Sequence, residues 1–214
     1  MLHSLLQVWF GWVRDGGYLG VIALMAMESS IFPVPSEIVI PPAAFWASQG
    51  RMSFGGVVLA GTFGSWLGSA ISYWVSRWIG RAVILRWGRF VFIKPDGLNR
   101  AEQFVQRYEV GGVFFARLLP VIRHLISIPA GIVRMNFVTF STVTIVGSAL
   151  WCSVLAYLGH QAYRLQPNLL SDPDGMVHFI KSQSSWIVLL TLLFAALYLL
   201  VLRLTSGPRT KPTA

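Results

Sequence analysis

The segment Glu28–Glu37, ESSIFPVPSE, breaks a long apolar stretch near its middle. Pro33 and Pro35 remove backbone donors and disfavour the α conformation of the residues before them, so a straight helix cannot continue through this segment. The flanking limbs, 18–27 and 38–47, have ten residues each. As helices they are about 15 Å long, half the thickness of the hydrocarbon core. We therefore predict a re-entrant hairpin that turns at mid-depth, and a single kinked span is the alternative.

A second apolar stretch, 110–132, has the same plan. Pro120 and Pro129 flank Arg123, and Arg117 lies on the entering limb. Backbone groups that a proline leaves unpaired inside a membrane must be covered by protein or line a wet cavity. We predict a second re-entrant hairpin broken at these prolines, and the alternative is a kinked span whose charges lie near an interface.

Three uninterrupted stretches are long enough to cross a bilayer. Residues 54–76 and 137–159 each run 23 residues without a charge, and 182–202 runs 21. A spanning helix needs roughly 20. Of the whole chain, 55% is apolar and 12% is charged, whereas about 25% of a soluble domain is charged. We predict an all-α integral membrane protein with a C-terminal transmembrane helix at 182–202, which excludes an ordinary cytosolic enzyme.

The distribution of basic residues sets the expected orientation. The loop 77–109 holds seven Lys or Arg against three Asp or Glu, and the tail 203–214 adds basic residues, whereas 160–181 is balanced. Basic connections stay in the cytoplasm, so we predict a basic cytoplasmic loop with amphipathic helices, a cytoplasmic C-terminus and an extracytoplasmic loop at 160–181. Residues 1–16 are rich in Leu and Trp and too short to span, which predicts an N-terminal interfacial helix.

Two short motifs recur at a spacing of 83 residues. They are Arg51-Met-Ser-Phe54 with Arg134-Met-Asn-Phe137, and Gly64-Ser65-x-Leu67 with Gly147-Ser148-x-Leu150. Each predicted repeat is a hairpin followed by a spanning helix: 17–76 with its hairpin at 17–48, and 110–159 with its hairpin at 110–132. If the hairpins do not cross, the two units are inverted in the membrane. In secondary transporters, that arrangement places the transport site where the broken segments meet.

Small side chains recur every four residues along both of these spans. Such stripes let helices approach closely in a membrane, so we predict that they lie at helix contacts. They comprise Ala60, Gly64, Gly68 and Ser72 in one span, and Thr144, Ser148, Cys152 and Ala156 in the other.

Four ionisable side chains lie at the predicted hairpin tips: Glu28 and Glu37 in the first, Arg117 and Arg123 in the second. A charge well inside the bilayer costs at least about 2.5 kcal/mol. If the two hairpin tips face each other, pairing a carboxylate with a guanidinium reduces this cost. Spare arginine donors would bind an anionic group such as a lipid phosphate. A carboxylate that takes up a proton would release an arginine for that group. A static structural ion pair is the alternative.

The sequence predicts no cofactor, no metal and no nucleic-acid partner. Cys152 is the sole cysteine, and His3, His160 and His178 have no metal-ligand spacing. The chain has a net charge of +9, but its basic residues do not form the stripe along a polar helix that DNA binding needs. In a membrane protein such a charge faces anionic lipid.

The residues around both broken segments resemble the DedA family, also called SNARE-associated or VTT-domain proteins, over about residues 16–165. The motifs are Glu28-Ser-Ser-x-x-Pro33-x-Pro35-Ser-Glu37, Phe115-x-Arg117-x-x-Pro120-x-x-Arg123 and Pro129-Ala-Gly131-x-x-x-Met135-x-Phe137. The resemblance implies a multi-pass protein of the bacterial inner membrane with two opposed re-entrant hairpins. It also implies that Glu28 and Glu37 fall on the family's essential acidic positions, and Arg117 and Arg123 on its essential arginines.

The function that the resemblance implies is movement of polyprenyl (undecaprenyl) phosphate, or of a phospholipid such as phosphatidylethanolamine, between leaflets. Dependence on the proton motive force has been proposed for the family. Our leading hypothesis is therefore a lipid flippase or scramblase and not an enzyme, with the acids coupling protons and the arginines binding the lipid phosphate. Two alternatives stay open: a membrane-embedded polyprenyl pyrophosphate phosphatase and a structural envelope-assembly factor.

Overall fold

The computed structural model describes residues 2–30, 35–87, 95–119, 122–123 and 125–165. Within these ranges the chain forms α-helices and no strand, which confirms the all-α prediction. The predicted C-terminal span at 182–202, its flanking segments, Pro33 and Pro120 lie outside the described residues. The helices are α1 (Leu2–Glu28), α2 (Ser36–Ser48), α3 (Phe54–Trp87), α4 (Pro95–Arg117), α5 (Ser127–Ile132) and α6 (Phe137–Leu165).

Two helices of the described part are long and apolar enough to cross a membrane. They are Phe54–Gly80 of α3, with 27 residues, and all of α6, with 29. Both start where the sequence predicts a span and run past its predicted end. The helical conformation of α3 is interrupted at Gly80, which has φ 74° and ψ 170°.

Helix α1 consists of two helical parts that fold against each other. Gly17 between them has φ 53° and ψ −129°, a conformation open to glycine and rarely adopted by other residues. A Cβ atom on Gly20 would lie only 2.0 Å from the carbonyl oxygen of Trp12, although eight residues of straight helix would separate these positions by about 12 Å. The first part of α1 therefore lies back over the start of the second.

The Arg-Met motifs of the repeat have a structural role, because their third residue caps the following spanning helix. The Ser53 side-chain oxygen accepts a hydrogen bond from the amide of Gly56 at 3.0 Å. The Asn136 side-chain oxygen accepts from the amides of Val138 and Thr139 at 2.9 and 3.2 Å. Ser and Asn are favoured at this position because they satisfy donors that have no partner within the helix.

Both second limbs end in the same way. Gly50 after α2 has φ 81°, and the following amide donates to the carbonyl of Trp46 at 3.2 Å. Arg134 after α5 has φ 55°, and the following amide donates to the carbonyl of Ala130 at 3.0 Å. These are Schellman-type helix ends. The second carries an arginine at the left-handed position that glycine fills in the first.

The helices of the two halves pack in an exchanged pattern. Helix α1 packs on α3 and α4 on α6, so each first limb contacts the span of its own half. Helix α2 packs on α6 and α5 on α3, so each second limb contacts the span of the other half, and α3 also contacts α6. The helix contacts of the two halves therefore correspond element by element.

Glycines make these contacts close. Gly64 and Gly147, matched in the repeat, receive the first limbs: a Cβ atom there would lie 2.5 Å from the oxygen of Ile22 and 2.9 Å from Cβ of Arg117, respectively. The small side chains of the two predicted stripes are all buried, so their assignment to helix contacts is confirmed.

Three features of the second limbs and of α4 differ from the sequence prediction. Helix α4 starts at Pro95 and runs without a break to Arg117, so the predicted first limb of the second hairpin continues a helix that begins in the predicted basic loop. Pro129, predicted to break the hairpin, lies in the first turn of α5, where a helix has no use for its missing donor. Pro41 and Pro42 lie inside α2, within the stretch predicted to form the ten-residue second limb.

Candidate functional site

Glu28 and Arg123 meet at the tips of the two broken segments. Glu28 is the last residue of α1, and Arg123 lies in the turns between α4 and α5. An Nη atom of Arg123 donates to Oε1 of Glu28, with 6% and 7% of the two side chains exposed. The amide of Ser36, at the start of α2, donates to the same oxygen at 3.2 Å. A carboxylate and a guanidinium from sequence positions 95 residues apart thus share a buried ion pair.

Trp151 of α6 holds both partners in place. Its ring lies 5.6 Å from the Arg123 guanidinium carbon, within the range of a cation–π contact. Its indole nitrogen donates to Oγ of Ser36 at 3.3 Å. Since Ser36 also holds Glu28 through its amide, the ring and the ion pair form one connected group.

Arg117 is buried without a carboxylate partner among the described residues. It ends α4 and is 3% exposed. Its two Nη atoms donate to the hydroxyls of Ser69 and Ser127, each at 2.8 Å, and its guanidinium carbon lies 5.5 Å from the ring of Phe140. Its Nε atom has no hydrogen-bond partner in the described structure. The positive charge of Arg117 is therefore solvated by neutral hydroxyls and a ring face.

Glu37 lies in the first turn of α2 and is half-buried. It interacts electrostatically with Arg123 and with Glu28, but it forms no ion pair with any described residue. Oε2 of Glu28 is buried and has no hydrogen-bond partner in the described structure. Oε2 of Glu28 is therefore an available acceptor next to the Glu28–Arg123 pair, whereas the Glu37 carboxylate is hydrogen-bonded by the Ser36 side chain.

Buried serines on one face of α3 continue the polar region. Ser65 exchanges a hydrogen bond with Ser29 at 2.8 Å, and Ser72 donates to the carbonyl of Ser29 at 3.3 Å. Ser69 donates to the carbonyl of Ser65 at 2.6 Å while it accepts from Arg117. These hydroxyls line the contact between α3 and the end of α1.

The four charged residues named from the sequence lie in one electrostatically connected cluster. Sequence reasoning missed the neutral residues that support them. One signal was available, because Ser65, Ser69, Ser72 and Ser76 recur at helical spacing in an apolar span, but serines in such spans are common in packing. The missed supporting residues are Ser36, Ser69, Ser127, Phe140 and Trp151.

The described residues contain no group of His, Cys, Asp or Glu side chains that could hold a metal ion. The fold and the buried cluster together define a class: an all-helical membrane protein in which two broken helical segments bring acids and arginines into one buried site. The chain belongs to the VTT-domain family, also called DedA, because residues 34–161 match the VTT domain.

Curated relatives agree with this membership. An undecaprenyl phosphate transporter A of Bacillus subtilis is 32% identical over 96% of this chain and 98% of its own length. A protein of the same name from Staphylococcus aureus is 30% identical over 91% of this chain and 94% of its own. An alkaline phosphatase-like protein of Lactococcus lactis is 34% identical over 67% of this chain and 69% of its own. No solved structure matches the chain.

Proposed function

We propose that this protein moves a phosphate-bearing lipid, with undecaprenyl phosphate as the first candidate, from one leaflet of the membrane to the other. The observation that carries the proposal is Arg117, a buried cation that neutral groups alone contact among the described residues. An unpaired buried charge is costly, and a phosphate that binds to it removes that cost. Two relatives that cover nearly the whole chain are named as transporters of this lipid.

The two arginines have different roles in this proposal. The Nε donor of Arg117 has no partner in the described structure, and its two Nη atoms donate to serine hydroxyls. A phosphate oxygen can take the place of these hydroxyls as the acceptor. Arg123 is held by Glu28. A guanidinium binds phosphate through paired donors, so Arg117 is the resting phosphate ligand and Arg123 becomes one when Glu28 releases it.

Glu28 and Glu37 couple protons to this exchange. When Glu28 takes up a proton, its attraction for Arg123 falls from that of an ion pair to that of a hydrogen bond. The cluster then gains one positive charge, which matches an incoming phosphate. Glu37, half-buried beside the pair, is the acid through which the proton enters or leaves.

The membrane arrangement that we propose is an inverted repeat with two re-entrant hairpins, 17–48 and 110–132, entering from opposite faces. The exchanged packing of second limbs supports it, because α2 contacts α6 and α5 contacts α3. We place the protein in the bacterial inner membrane with its C-terminus in the cytoplasm, as the basic residues of 77–109 indicate. The lipid tail then stays in the bilayer while the headgroup crosses at the tips.

Reconstituted liposomes test the function directly. A leaflet-specific probe measures the transfer of undecaprenyl phosphate, and we expect wild-type protein to accelerate it while Arg117→Gln reduces the rate at least tenfold. The matched control is Arg164→Gln, an exposed arginine at the end of α6, which should transport at the wild-type rate. Equal rates for wild type and Arg117→Gln would refute the role of Arg117.

A hydrolytic activity is the competing function, since one relative is named alkaline phosphatase-like. Ser29 hydrogen-bonds Ser65, whereas Ser36 contacts both the Trp151 indole and the Glu37 carboxylate. A serine nucleophile needs an adjacent general base, so Ser36 is the serine that a hydrolytic mechanism would use. Because the two relatives that cover nearly the whole chain are named as transporters, we expect purified protein to release no phosphate from undecaprenyl pyrophosphate.

A further inference from the structure

A cavity outside the buried cluster lies at the end of the molecule where α3 begins. It has a volume of about 330 Å³, which is in the range of small-molecule sites. Three separate segments form it: the break in α1, the end of α2 and the link before α3. Its lining includes Arg14, Tyr18, Leu19, Trp46, Arg51 and Met52.

The shape of this cavity follows from the break in α1. Gly17 turns the chain with φ 53°, and the residues around this turn line the cavity together with the end of α2 and the link before α3. Tyr18 ties the turn to that link, because its hydroxyl accepts a hydrogen bond from the amide of Ser53 at 2.7 Å and donates to the Ser53 hydroxyl at 3.3 Å. Two walls of the cavity are therefore held together by hydrogen bonds.

The cavity has an excess of positive charge. Arg14 is paired with Asp15 at 2.8 Å, and this hydrogen bond lowers the pKa of the Asp15 carboxyl, so the acid is ionised at neutral pH and offsets Arg14. Arg51 is exposed, and its side chain forms no hydrogen bond or ion pair with any described residue. One guanidinium is therefore free to bind an anion.

The walls next to Arg51 are apolar. Trp46 is 9% exposed and closes one side, while Leu19 is 76% exposed and extends the apolar surface outward. Tryptophan and arginine together at such a position are typical of the headgroup region of a bilayer, where one end of a ligand is apolar and the other charged. An amphipathic anion fits this surface better than a free ion.

We propose that this cavity binds the phosphate group of a membrane lipid, as a second site distinct from the buried cluster. Helix α2 connects this cavity to the buried cluster. Trp46 and Ser36 belong to the same helix, ten residues or about 15 Å apart, and Ser36 holds Glu28. A lipid bound at the cavity therefore has its headgroup at the open end of the first hairpin, whose tip carries the buried acid.

Native mass spectrometry of the purified full-length chain tests this site with dihexanoyl phosphatidic acid as the probe. We expect Arg51→Ala to weaken binding about tenfold, the loss of one charge-assisted interaction. Arg51→Lys should recover part of the affinity because it keeps the charge without the planar donors. Arg134→Ala is the matched control, since it removes the repeat-equivalent arginine on the other link, and it should change binding less than twofold.

Three outcomes would overturn the proposal: unchanged binding in Arg51→Ala, an equal loss in Arg134→Ala, or competition by inorganic phosphate at the concentration of the lipid. The last outcome would assign the cavity to free phosphate instead of a lipid headgroup. Arg117→Gln separates this site from the proposed transport function. That variant should bind the probe at the cavity as wild type does, whether or not it transports lipid. A normal transport rate would therefore count against the proposed function and leave the cavity proposal intact.

Discussion

At the scale of single residues, the four charged side chains of the buried cluster differ in whether they form an ion pair. Glu28 and Arg123 are bonded to each other, whereas Arg117 and Glu37 have no ion-pair partner among the described residues. Replacing one member of a buried pair costs about 3–5 kcal/mol when the other is left uncompensated. Each substitution in this cluster therefore tests both stability and function, and the two readouts must be separated.

Glu28→Gln separates them. The amide oxygen of the new side chain can still accept from Arg123 and from the amide of Ser36, so we expect the variant to be expressed and to lose less stability than a variant that removes the acceptor altogether. It cannot exchange a proton at neutral pH, so transport in liposomes should fall at least tenfold. Full activity of the Glu28→Gln variant would remove the proton step from the mechanism. The control is Ser30→Ala, whose hydroxyl donates to the carbonyl of Met27, and it should transport at the wild-type rate.

Arg134 has a left-handed backbone conformation that costs a non-glycine residue about 1–2 kcal/mol. We expect Arg134→Gly to raise the thermal unfolding midpoint, because glycine adopts φ 55° without this cost. Gly50→Ala at the matching helix end should lower it. A lower midpoint for Arg134→Gly would mean that the arginine side chain stabilises the fold by more than its backbone costs.

At the scale of helices, the sequence predicts the elements better than their contacts. The starts of α3 and α6 follow from uncharged runs at Phe54 and Phe137, because length and apolar composition alone decide whether a helix can span. The sequence does not indicate that α2 would pack on α6. That contact depends on Gly159, which a sequence alone cannot distinguish from a glycine facing lipid.

Gly159 sets the approach of α2 to α6. A Cβ atom there would lie 2.2 Å from the carbonyl oxygen of Pro41, so Gly159→Ala should force the helices apart and cost about 1–3 kcal/mol. Thermal unfolding in detergent measures this loss. Gly55→Ala is the control, since a Cβ atom at Gly55 would have no neighbour within 4 Å; similar midpoints for the two variants would contradict the packing.

Part of the candidate site could be predicted from the sequence. Charges in an apolar stretch are conspicuous, so Glu28, Arg117 and Arg123 could be named without a structure. The pairing of Glu28 with Arg123 and not with Arg117 could not be predicted, because it depends on the turns after α4. Ser69 and Trp151 are ordinary residues of membrane helices until their contacts are known.

At the scale of the whole molecule, the proposed re-entrant arrangement predicts which residues face each side of the membrane. Cysteines placed at Asp15 and Gln49, before and after the first hairpin, should react with an impermeant maleimide from one face. A cysteine at Arg134 should react from the other face. Cys152 is buried and should not interfere. Labelling of Asp15→Cys and Gln49→Cys from opposite faces would instead indicate a kinked span.

The central claim is that the tips of the two broken segments meet through Glu28 and Arg123. A double-mutant cycle of thermal unfolding in detergent, using Glu28→Gln, Arg123→Gln and the double variant, measures this contact most directly. Residues in direct contact couple by about 0.5–3 kcal/mol, so we predict a double variant clearly less destabilised than the sum of the two single ones. Strict additivity would contradict the ion pair and, with it, the meeting of the two broken segments.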